Sequence, residues 1–502
     1  MKKKLVAGLL CGTMVMSVPF TYVVSAEEQG EITEIFWQYP AQSELTEGFY
    51  QMEDALNEMM EKDIGVHVTF IPTDLTTSQQ DATLMISAGE QLDVMLTAFT
   101  SVGELVDSGM ILPLDEYAEE YAPYYMENCM DSVNGCYYDG KLYGLPSRVE
   151  QTFYMFGYTM KKSYADKYNF VADDSKIYTL DEMEEMFAIV KEGEGENFYM
   201  TAPWNNTYDP LNYSYMEYDA VTGSFSGGVL MLNRSYEDLT LYNLFETDEY
   251  REFCERMYDW AQKGYISPDA AVDTEYGSRG AEDNYLGWFG HNAISSEDNY
   301  CNSTWGEEVV QFRTVDTYMK LNGGCSTQWN VPITSANPEK AVEAINYVMA
   351  NKDAANLILY GFEGESYEVV ESDEEGHMSI QLLDDVSNLP YYNPYGLWGN
   401  AFEVATLYPS KIESNVIKKE IQDNFSEDKK SPALGYSFKQ DAVAAEVAAV
   451  ETVMAQYCYS LNAGALNPDE ALPDFIAALK AAGIDKIIEE NQRQIDEWAA
   501  SK

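Results

Sequence analysis

The side chains most often used in catalysis form no recognisable enzyme signature in this chain. Its histidines are His67, His291 and His377, and none lies beside a nucleophile motif. The sequence contains no GxSxG, no HExxH and no phosphate-binding glycine loop. A glycosidase pair of carboxylates stays open as an alternative, but with 85 Asp and Glu residues their abundance carries no information. The residues alone therefore indicate no catalytic mechanism.

One acidic segment partly matches the calcium loop of an EF-hand. Glu371, Asp373, Glu375 and Gly376 occupy loop positions that would supply or shape ligands. The last loop position, where a bidentate glutamate is required, is Leu382. A solvated hairpin turn explains the segment better, so we predict no metal site.

Mixtures of aromatic and polar side chains in loop-like sequence are the best sign of a binding site. Sugars present flat C–H faces that stack on Trp and Tyr, and hydroxyl groups that need amide or charged partners. Any single Trp could equally be a core residue, so the prediction depends on the fact that several such aromatic and polar clusters occur along the chain. The predicted ligand-binding residues are Trp37, Tyr39, Asp74, Phe99, Arg148, Trp204, Asn205, Trp288, Trp329, Tyr395 and Trp398.

The elements that would position these residues begin with an alternation of strands and helices. The predicted order is strand 31–39, helix 44–64, strand 66–71, helix 79–88 and strand 92–97. This pattern is typical of a parallel sheet covered by helices. Ligands bind beyond the carboxyl ends of such strands, which places Trp37, Tyr39, Asp74 and Phe99 at one rim.

The rest of the chain predicts a second lobe and a helical end. Gly144 and Pro146 punctuate an extended stretch that could cross between lobes. Thr179 and Glu182 form a capping box, and Asn337 followed by proline favours another helix start. Further predicted elements are helix 180–191, an irregular aromatic loop at 199–218, helix 338–350, a hairpin at 367–382, and helices 441–461 and 468–498 with a break at Gly483.

Charge and cysteine content limit the partners and the chemistry. The formal net charge is −55, which repels nucleic acid and anionic lipid surfaces. No cysteines have the spacing of a zinc site, and most are expected to be buried free thiols. Cys129 and Cys136 are close enough in sequence for a local disulfide.

The first 26 residues have the pattern of an export signal. Three lysines precede an apolar stretch, and Val24-Ser25-Ala26 provides a cleavage site. We expect cleavage after Ala26 and a secreted or cell-surface protein. A retained membrane anchor and lipid attachment at Cys11 are alternatives, although the large Leu10 before Cys11 disfavours lipidation.

Blocks spread over most of the chain resemble bacterial extracellular solute-binding proteins of the maltodextrin-binding type, the receptors of ABC sugar importers. The matching blocks are 55–70 (ALNEMMEKDIGVHVTF), 84–94 (LMISAGEQLDV), 112–115 (LPLD), 140–146 (GKLYGLP) and 335–341 (SANPEKA). Three more blocks resemble a lipoprotein-like subgroup with an extra C-terminal helical region. They are 361–367 (GFEGESY), 431–436 (SPALGY) and 481–487 (AAGIDKI).

The resemblance implies an α/β, two-lobed periplasmic-binding-protein-like fold (type II), each lobe a mixed sheet flanked by helices, with a helical C-terminal extension. The implied ranges are signal peptide 1–26, lobe 1 at 31–145 and 326–365, lobe 2 at 146–325 and 366–430, and C-terminal helical region 431–502. It implies a monomeric receptor that captures a sugar or oligosaccharide by lobe closure and delivers it to ABC permease subunits. It also implies no enzymatic activity and no cofactor. A receptor for peptide or another small solute is the alternative within the family. No site residue is carried over from the family by motif.

Overall fold

The computed structural model describes residues 32–500 apart from 42–44, 99–101, 149–152, 155, 174, 204–212, 214–217, 222–229, 234–238, 273–275, 320–326, 435 and 437. Strands β1–β18 are Thr33–Pro40, Val66–Thr73, Met95–Ala98, Tyr137–Tyr138, Lys141–Leu142, Leu145–Pro146, Phe153–Tyr154, Phe156–Lys161, Tyr218–Ala220, Leu230–Asn233, Leu241–Asn243, Gly287–His291, Val309–Arg313, Tyr318–Met319, Thr327–Asn330, Tyr367–Ser372, Met378–Leu382 and Thr406–Leu407. Helices α1–α16 are Glu47–Ile64, Ser78–Ala88, Gly103–Asp107, Asp115–Tyr121, Pro123–Asn128, Met130–Val133, Lys162–Tyr168, Leu180–Glu194, Asp248–Gln262, Cys301–Thr304, Pro338–Ala350, Lys352–Tyr360, Ile412–Asp423, Ala444–Asn462, Pro468–Ala482 and Ile484–Ala500.

The first strand–helix–strand unit forms as predicted. β1 and β2 pair in parallel from Thr33 opposite Val66 to Pro40 opposite Thr73. Between them α1 buries an apolar stripe against the sheet, because its apolar residues recur at helical spacing. Gly65 ends α1 with φ 67°, a left-handed conformation that glycine adopts without steric cost.

Lobe 1, comprising residues 33–146 and 327–407, is built around one core. β3 follows α2, and β15 returns from far along the chain to pair antiparallel with both β3 and β6. The hairpin β16–β17 and strand β18 form another sheet of this lobe. The core includes residues of β1, β2, α1, α11 and α12.

Lobe 2, comprising residues 156–313 and 433–500, has its own core. Its central sheet places β8 between β12 and β13, with antiparallel pairing on both sides. α8 begins at the predicted capping box of Thr179 and Glu182 and buries an apolar face against this sheet. α9 packs beside it, and Glu184 of α8 accepts a hydrogen bond of 2.9 Å from the indole of Trp260.

The C-terminal helices α14–α16 are part of lobe 2. Phe475 of α15 lies 4.8 Å, centroid to centroid, from Phe245. The Tyr250 hydroxyl donates to Asn462 of α14 at 2.9 Å. Side chains from both chain segments share one apolar core. The region predicted as an extension at 431–502 therefore completes the core of lobe 2, and Gly483 separates α15 from α16 as expected.

Residues 367–407 pack differently from the predicted assignment of 366–430 to lobe 2. Ile380 and Trp398 lie in the lobe 1 core. The Tyr360 hydroxyl of α12 donates to the Ala405 carbonyl at 2.9 Å. The hairpin follows shortly after α12, whose buried residues are part of the lobe 1 core. The hydrophobic pattern of the sequence predicts a hairpin but does not indicate which of the two cores it packs against.

Cys129 and Cys136 are separate buried thiols, so the local disulfide is absent. Burial raises the pKa of Cys129 to about 12. Cys254 and Cys301 are also buried free thiols, which is the state expected for most of the cysteines.

A buried carboxylate, that of Asp93 just before β3, joins three segments of lobe 1. Asp93 Oδ2 accepts hydrogen bonds from Phe36 N at 3.0 Å and Gln91 Nε2 at 2.9 Å. Its Oδ1 accepts from Ser335 Oγ at 2.6 Å and Ala336 N at 3.0 Å. Asp93 therefore fixes β1, the start of β3 and the segment before α11 to one another.

We expect Asp93→Ala to lower the free energy of unfolding by at least about 4 kcal/mol, because four donors lose their acceptor and each such loss costs about 1–3 kcal/mol. Urea unfolding measures the change. Asp54→Ala, which removes an exposed carboxylate from α1, is the matched control and should change stability by less than about 0.5 kcal/mol. Equal losses for the two variants would contradict the structural role of Asp93.

Candidate functional site

The carboxyl ends of three parallel strands meet at one edge of lobe 1, which is the expected place for a ligand. β1 and β2 pair in parallel, and Trp37 of β1 bridges in parallel to Val94 before β3. The buried amide of Gln38 holds this edge together: it donates to the Ser78 carbonyl at 2.8 Å and accepts from Leu96 N at 2.9 Å. We call this edge the lobe 1 rim.

Asp74 is exposed at the rim, immediately after β2. Its Oδ1 accepts hydrogen bonds from the hydroxyl of Thr76 at 2.5 Å and from its backbone N at 2.8 Å. These bonds hold the pKa of Asp74 below its usual value. The carboxylate is therefore charged at neutral pH and can accept hydrogen bonds from a polar ligand.

Arg148 is also exposed, where the chain leaves β6 toward lobe 2. Just before it, the buried Ser147 hydroxyl donates to Thr327 Oγ1 at 2.6 Å. Thr327 lies opposite Ala98 in the β3–β15 pairing. Ser147 and Thr327 were missed as rim residues because only the non-local pairing of β15 brings them together.

Three predicted ligand-binding tryptophans lie in the lobe 1 core instead of at its surface. Trp37, Trp329 and Trp398 are at most 2% exposed. Their ring centroids are 4.8–5.3 Å apart. The three rings cover one another, and Phe70 also packs against Trp37 and Trp398, so none offers a face for stacking on a ligand in this structure.

Tyr39 and Trp288 are likewise buried, at 3% exposure each. The Tyr39 hydroxyl lies 2.7 Å from that of Tyr391, and burial raises the pKa of Tyr39 to about 12. Trp288 lies within β12 and contacts Trp305 at 5.2 Å between centroids. The sequence predicted Tyr39 at the end of a strand and Trp288 in loop-like sequence, whereas β1 continues to Pro40 and Trp288 lies inside β12.

Of the remaining predicted site residues, one is partly accessible and three lie outside the described part of the chain. Tyr395 is half-buried in the lobe 1 segment 391–400, and its backbone N donates to Asn393 Oδ1 at 2.9 Å. Phe99, Trp204 and Asn205 lie outside the described residues. The described part of the chain therefore leaves Asp74 and Arg148 exposed at the lobe 1 rim and Tyr395 partly accessible.

In lobe 2 a buried polar network fixes the loop that follows β12. The Asn299 side-chain amide donates to Thr159 Oγ1 at 3.2 Å and to Gln311 Oε1 at 2.9 Å. The Asn292 amide donates to Thr159 as well, at 3.3 Å. Asn292 thus serves to anchor loop 292–300 on the sheet.

The acidic segment tested for calcium forms the turn between β16 and β17. Asp373, Glu375 and His377 lie close enough to offer ligand atoms to a metal. However, His377 Nδ1 lies 2.8 Å from Asp373 Oδ2, and His377 Nε2 lies 3.3 Å from Glu403 Oε2. These contacts raise the pKa of His377, mainly through the hydrogen bond to Asp373. The imidazole is thus placed to supply the positive charge that balances the carboxylates.

We expect His377→Ala to destabilise the protein more at pH 5.5 than at pH 8.5. The raised pKa means that the stabilising contribution is fully present below about pH 6.5, the usual pKa of histidine, and is lost as the pH rises through the folded-state value. The ion pairs are partly exposed, so the loss at pH 5.5 should not exceed about 1 kcal/mol. Urea unfolding at both pH values measures it, and an equal loss at the two would contradict the ionic role.

We expect Trp329→Ala to cost about 3–5 kcal/mol of stability, because it removes a fully buried ring from the core. Chemical unfolding measures this loss. Tyr459→Ala, which truncates a ring 42% exposed on α14, is the control and should have a much smaller effect. A Trp329→Ala protein of normal stability that lost saccharide affinity would instead favour the ligand-stacking role predicted from the sequence.

Two family models match the chain. The model described as "Bacterial extracellular solute-binding protein" matches residues 54–362. A domain of unknown function (DUF3502) matches residues 432–500, which include helices α14–α16.

Among curated proteins, a carbohydrate ABC transporter substrate-binding protein of Streptococcus pneumoniae is 27% identical over 269 residues. The alignment covers 52% of this chain and 52% of that relative, so the chain spans about half the length of the relative it matches. Among the described residues, no helix combines the length and the apolar composition needed to cross a bilayer.

Solved structures of solute-binding proteins share the fold. The N-glycan transport solute-binding protein NgtS of Streptococcus pneumoniae superposes with a TM-score of 0.79 at 18% identity, covering 93% of this chain and 99% of that one. The complexes of NgtS with Man1GlcNAc and Man5GlcNAc score 0.70 and 0.67, at the same identity and with 93–94% and 99% of the two chains covered. The two-lobed α/β fold is therefore confirmed. With more than half of its length matched by the family model, the chain belongs to the bacterial extracellular solute-binding protein family.

Proposed function

We propose that this protein is the extracellular receptor of an ABC importer and that it captures an oligosaccharide by closing its two lobes. The observation that carries the proposal is the division into two separately packed cores, with the strand ends of lobe 1 forming a polar rim beside the segments that connect the lobes. The relatives support the ligand class, since one is named a carbohydrate substrate-binding protein and another binds N-glycan fragments.

The proposed mechanism is a shift between an open and a closed arrangement of the lobes. A ligand favours closure only if it makes better contacts in the closed state. Asp74 and Arg148 are exposed at the lobe 1 rim and suit sugar hydroxyl groups. Trp204 and Asn205 are proposed to provide stacking and hydrogen bonding from lobe 2. Phe99 and Tyr395 complete the proposed contact set.

The proposal includes the setting in which the receptor acts. The chain is exported with cleavage after Ala26, works as a monomer without a cofactor or metal, and catalyses no reaction. It delivers its ligand to the permease subunits of the importer. Its net charge of −55 keeps it from nucleic acid and anionic lipid surfaces. A lipid anchor at Cys11 would be the alternative means of keeping it near the permease.

A thermal-shift screen of the purified protein tests the ligand class. Fragments of N-glycans, fructo-oligosaccharides, monosaccharides and short peptides are compared at equal concentration. A ligand at 100 times its dissociation constant should stabilise the protein by about 2.7 kcal/mol. Stabilisation by peptides alone would contradict the carbohydrate assignment, and appearance of cleaved sugars would identify a glycosidase instead.

We expect Trp204→Ala to weaken binding of the oligosaccharide found in that screen by about 1–3 kcal/mol, the value of burying a large aromatic ring. Isothermal titration calorimetry measures the change. Tyr459→Ala, which removes an exposed ring from α14, is the control and should bind as the unaltered protein does. Unchanged affinity in a folded Trp204→Ala protein would exclude Trp204 from the site.

A further inference from the structure

The C-terminal helical region of lobe 2, residues 433–500, makes a charged contact with lobe 1. Lys439 lies in the segment before α14, next to Phe438, which is buried in the lobe 2 core. Its backbone is fixed to α16: Lys439 N donates to Gln494 Oε1 at 2.9 Å, and Gln494 Nε2 donates to the Lys439 carbonyl at 2.9 Å. The main chain at Lys439 therefore moves with lobe 2.

The side chain of Lys439 ends on lobe 1. Its Nζ lies 2.9 Å from Asp139 Oδ2 and 3.7 Å from Asp107 Oδ1. The ammonium also lies 4.5 Å from the centroid of the Tyr138 ring, whose hydroxyl donates to Asp107 Oδ2 at 3.2 Å. Tyr138 is 5% exposed and packs with Met95 of β3, so this end of the contact is fixed to lobe 1.

The surroundings of Lys439 favour its charged form. Burial alone would lower the pKa of Lys439, but hydrogen bonds to Tyr138 and Asp139 and the charge of Asp139 raise it above its usual value. A second pair, Lys411 and Glu297 at 3.0 Å, also joins the lobes, but both side chains are more than half exposed. Lys439, with two carboxylates and a ring, is the better-supported contact between the lobes.

We infer that Lys439 is an inter-lobe bridge that stabilises the open arrangement and thereby sets the affinity for ligand. This rests on the proposed function, since it assigns a regulating contact to the same receptor. The described arrangement superposes better on NgtS without a stated ligand, at 0.79, than on its two sugar complexes, at 0.70 and 0.67. We therefore assign the bridge to the open state and expect closure to break it.

The size of the effect follows from a two-state argument. The apparent dissociation constant is the intrinsic constant divided by the fraction of protein in the binding-competent state. Removing a contact that exists only in the open state raises that fraction. The Lys439 side chain is 35% exposed and that of Asp139 is 69% exposed, so the contact has the strength of a surface ion pair. We expect about two- to five-fold tighter binding when it is removed.

Calorimetric titration of Lys439→Met and Asp139→Asn with the oligosaccharide found by screening tests the inference. Both variants should bind about two- to five-fold more tightly than the unaltered protein. The double variant should bind no more tightly than the stronger single variant, because both changes remove the same contact. Lys419→Met, which breaks an exposed pair within α13, is the matched control and should leave affinity unchanged. Unchanged or weaker binding in both single variants would overturn the inference.

A second measurement needs no sugar, so it separates failure of the bridge from failure of the proposed function. The rate of acetylation of each lysine by an amine-reactive ester is followed by mass spectrometry. In the ligand-free protein, Asp139→Asn should raise the rate at Lys439 at least two-fold and leave the rate at Lys419 unchanged. An unchanged rate at Lys439 would show that the bridge is absent. A sugar that binds should raise the rate of acetylation of Lys439 in the unaltered protein, because closure breaks the bridge. A lower rate with the sugar than without it would contradict the inference, because it would place the bridge in the closed state.

Discussion

The return of β15 to the first sheet is the constraint on which the two-lobed architecture depends. β15 lies between β3 and β6 and pairs antiparallel with both. Trp329 of this strand pairs with Leu96 on one side and Leu145 on the other, while its ring enters the core formed by Trp37 and Trp398. The chain between β6 and β15 therefore leaves lobe 1 and returns. That segment builds the central sheet of lobe 2 together with helices α7–α10, and the C-terminal helices α14–α16 complete the lobe.

Local signals in the sequence were reliable where neighbouring residues decide the structure. The capping box at Thr179, the helix break at Gly483 and the hairpin turn before His377 all form as expected. Each depends on residues a few positions apart. The parallel strand–helix–strand unit at the start of lobe 1 was predictable for the same reason.

The candidate site was harder to predict because burial is decided by contacts between distant segments. Trp37, Trp329 and Trp398 come from three separate parts of the chain and cover one another. Sequence alone cannot distinguish such a ring from one that stacks on a ligand, since both lie near polar residues. The exposed Asp74 was identifiable because it directly follows a strand end, and the exposed Arg148 because it lies in the stretch predicted to cross between lobes. The assignment of residues 367–407 and of the C-terminal helices to lobes also required the three-dimensional packing.

The central claim is that two lobes with separate cores move together around an oligosaccharide. Small-angle X-ray scattering of the purified protein, with and without a saturating oligosaccharide that stabilises it in solution, tests this claim most directly. The account predicts a smaller radius of gyration in the presence of the sugar, because closure brings the lobes together. An unchanged radius of gyration at demonstrated saturation would contradict capture by lobe closure.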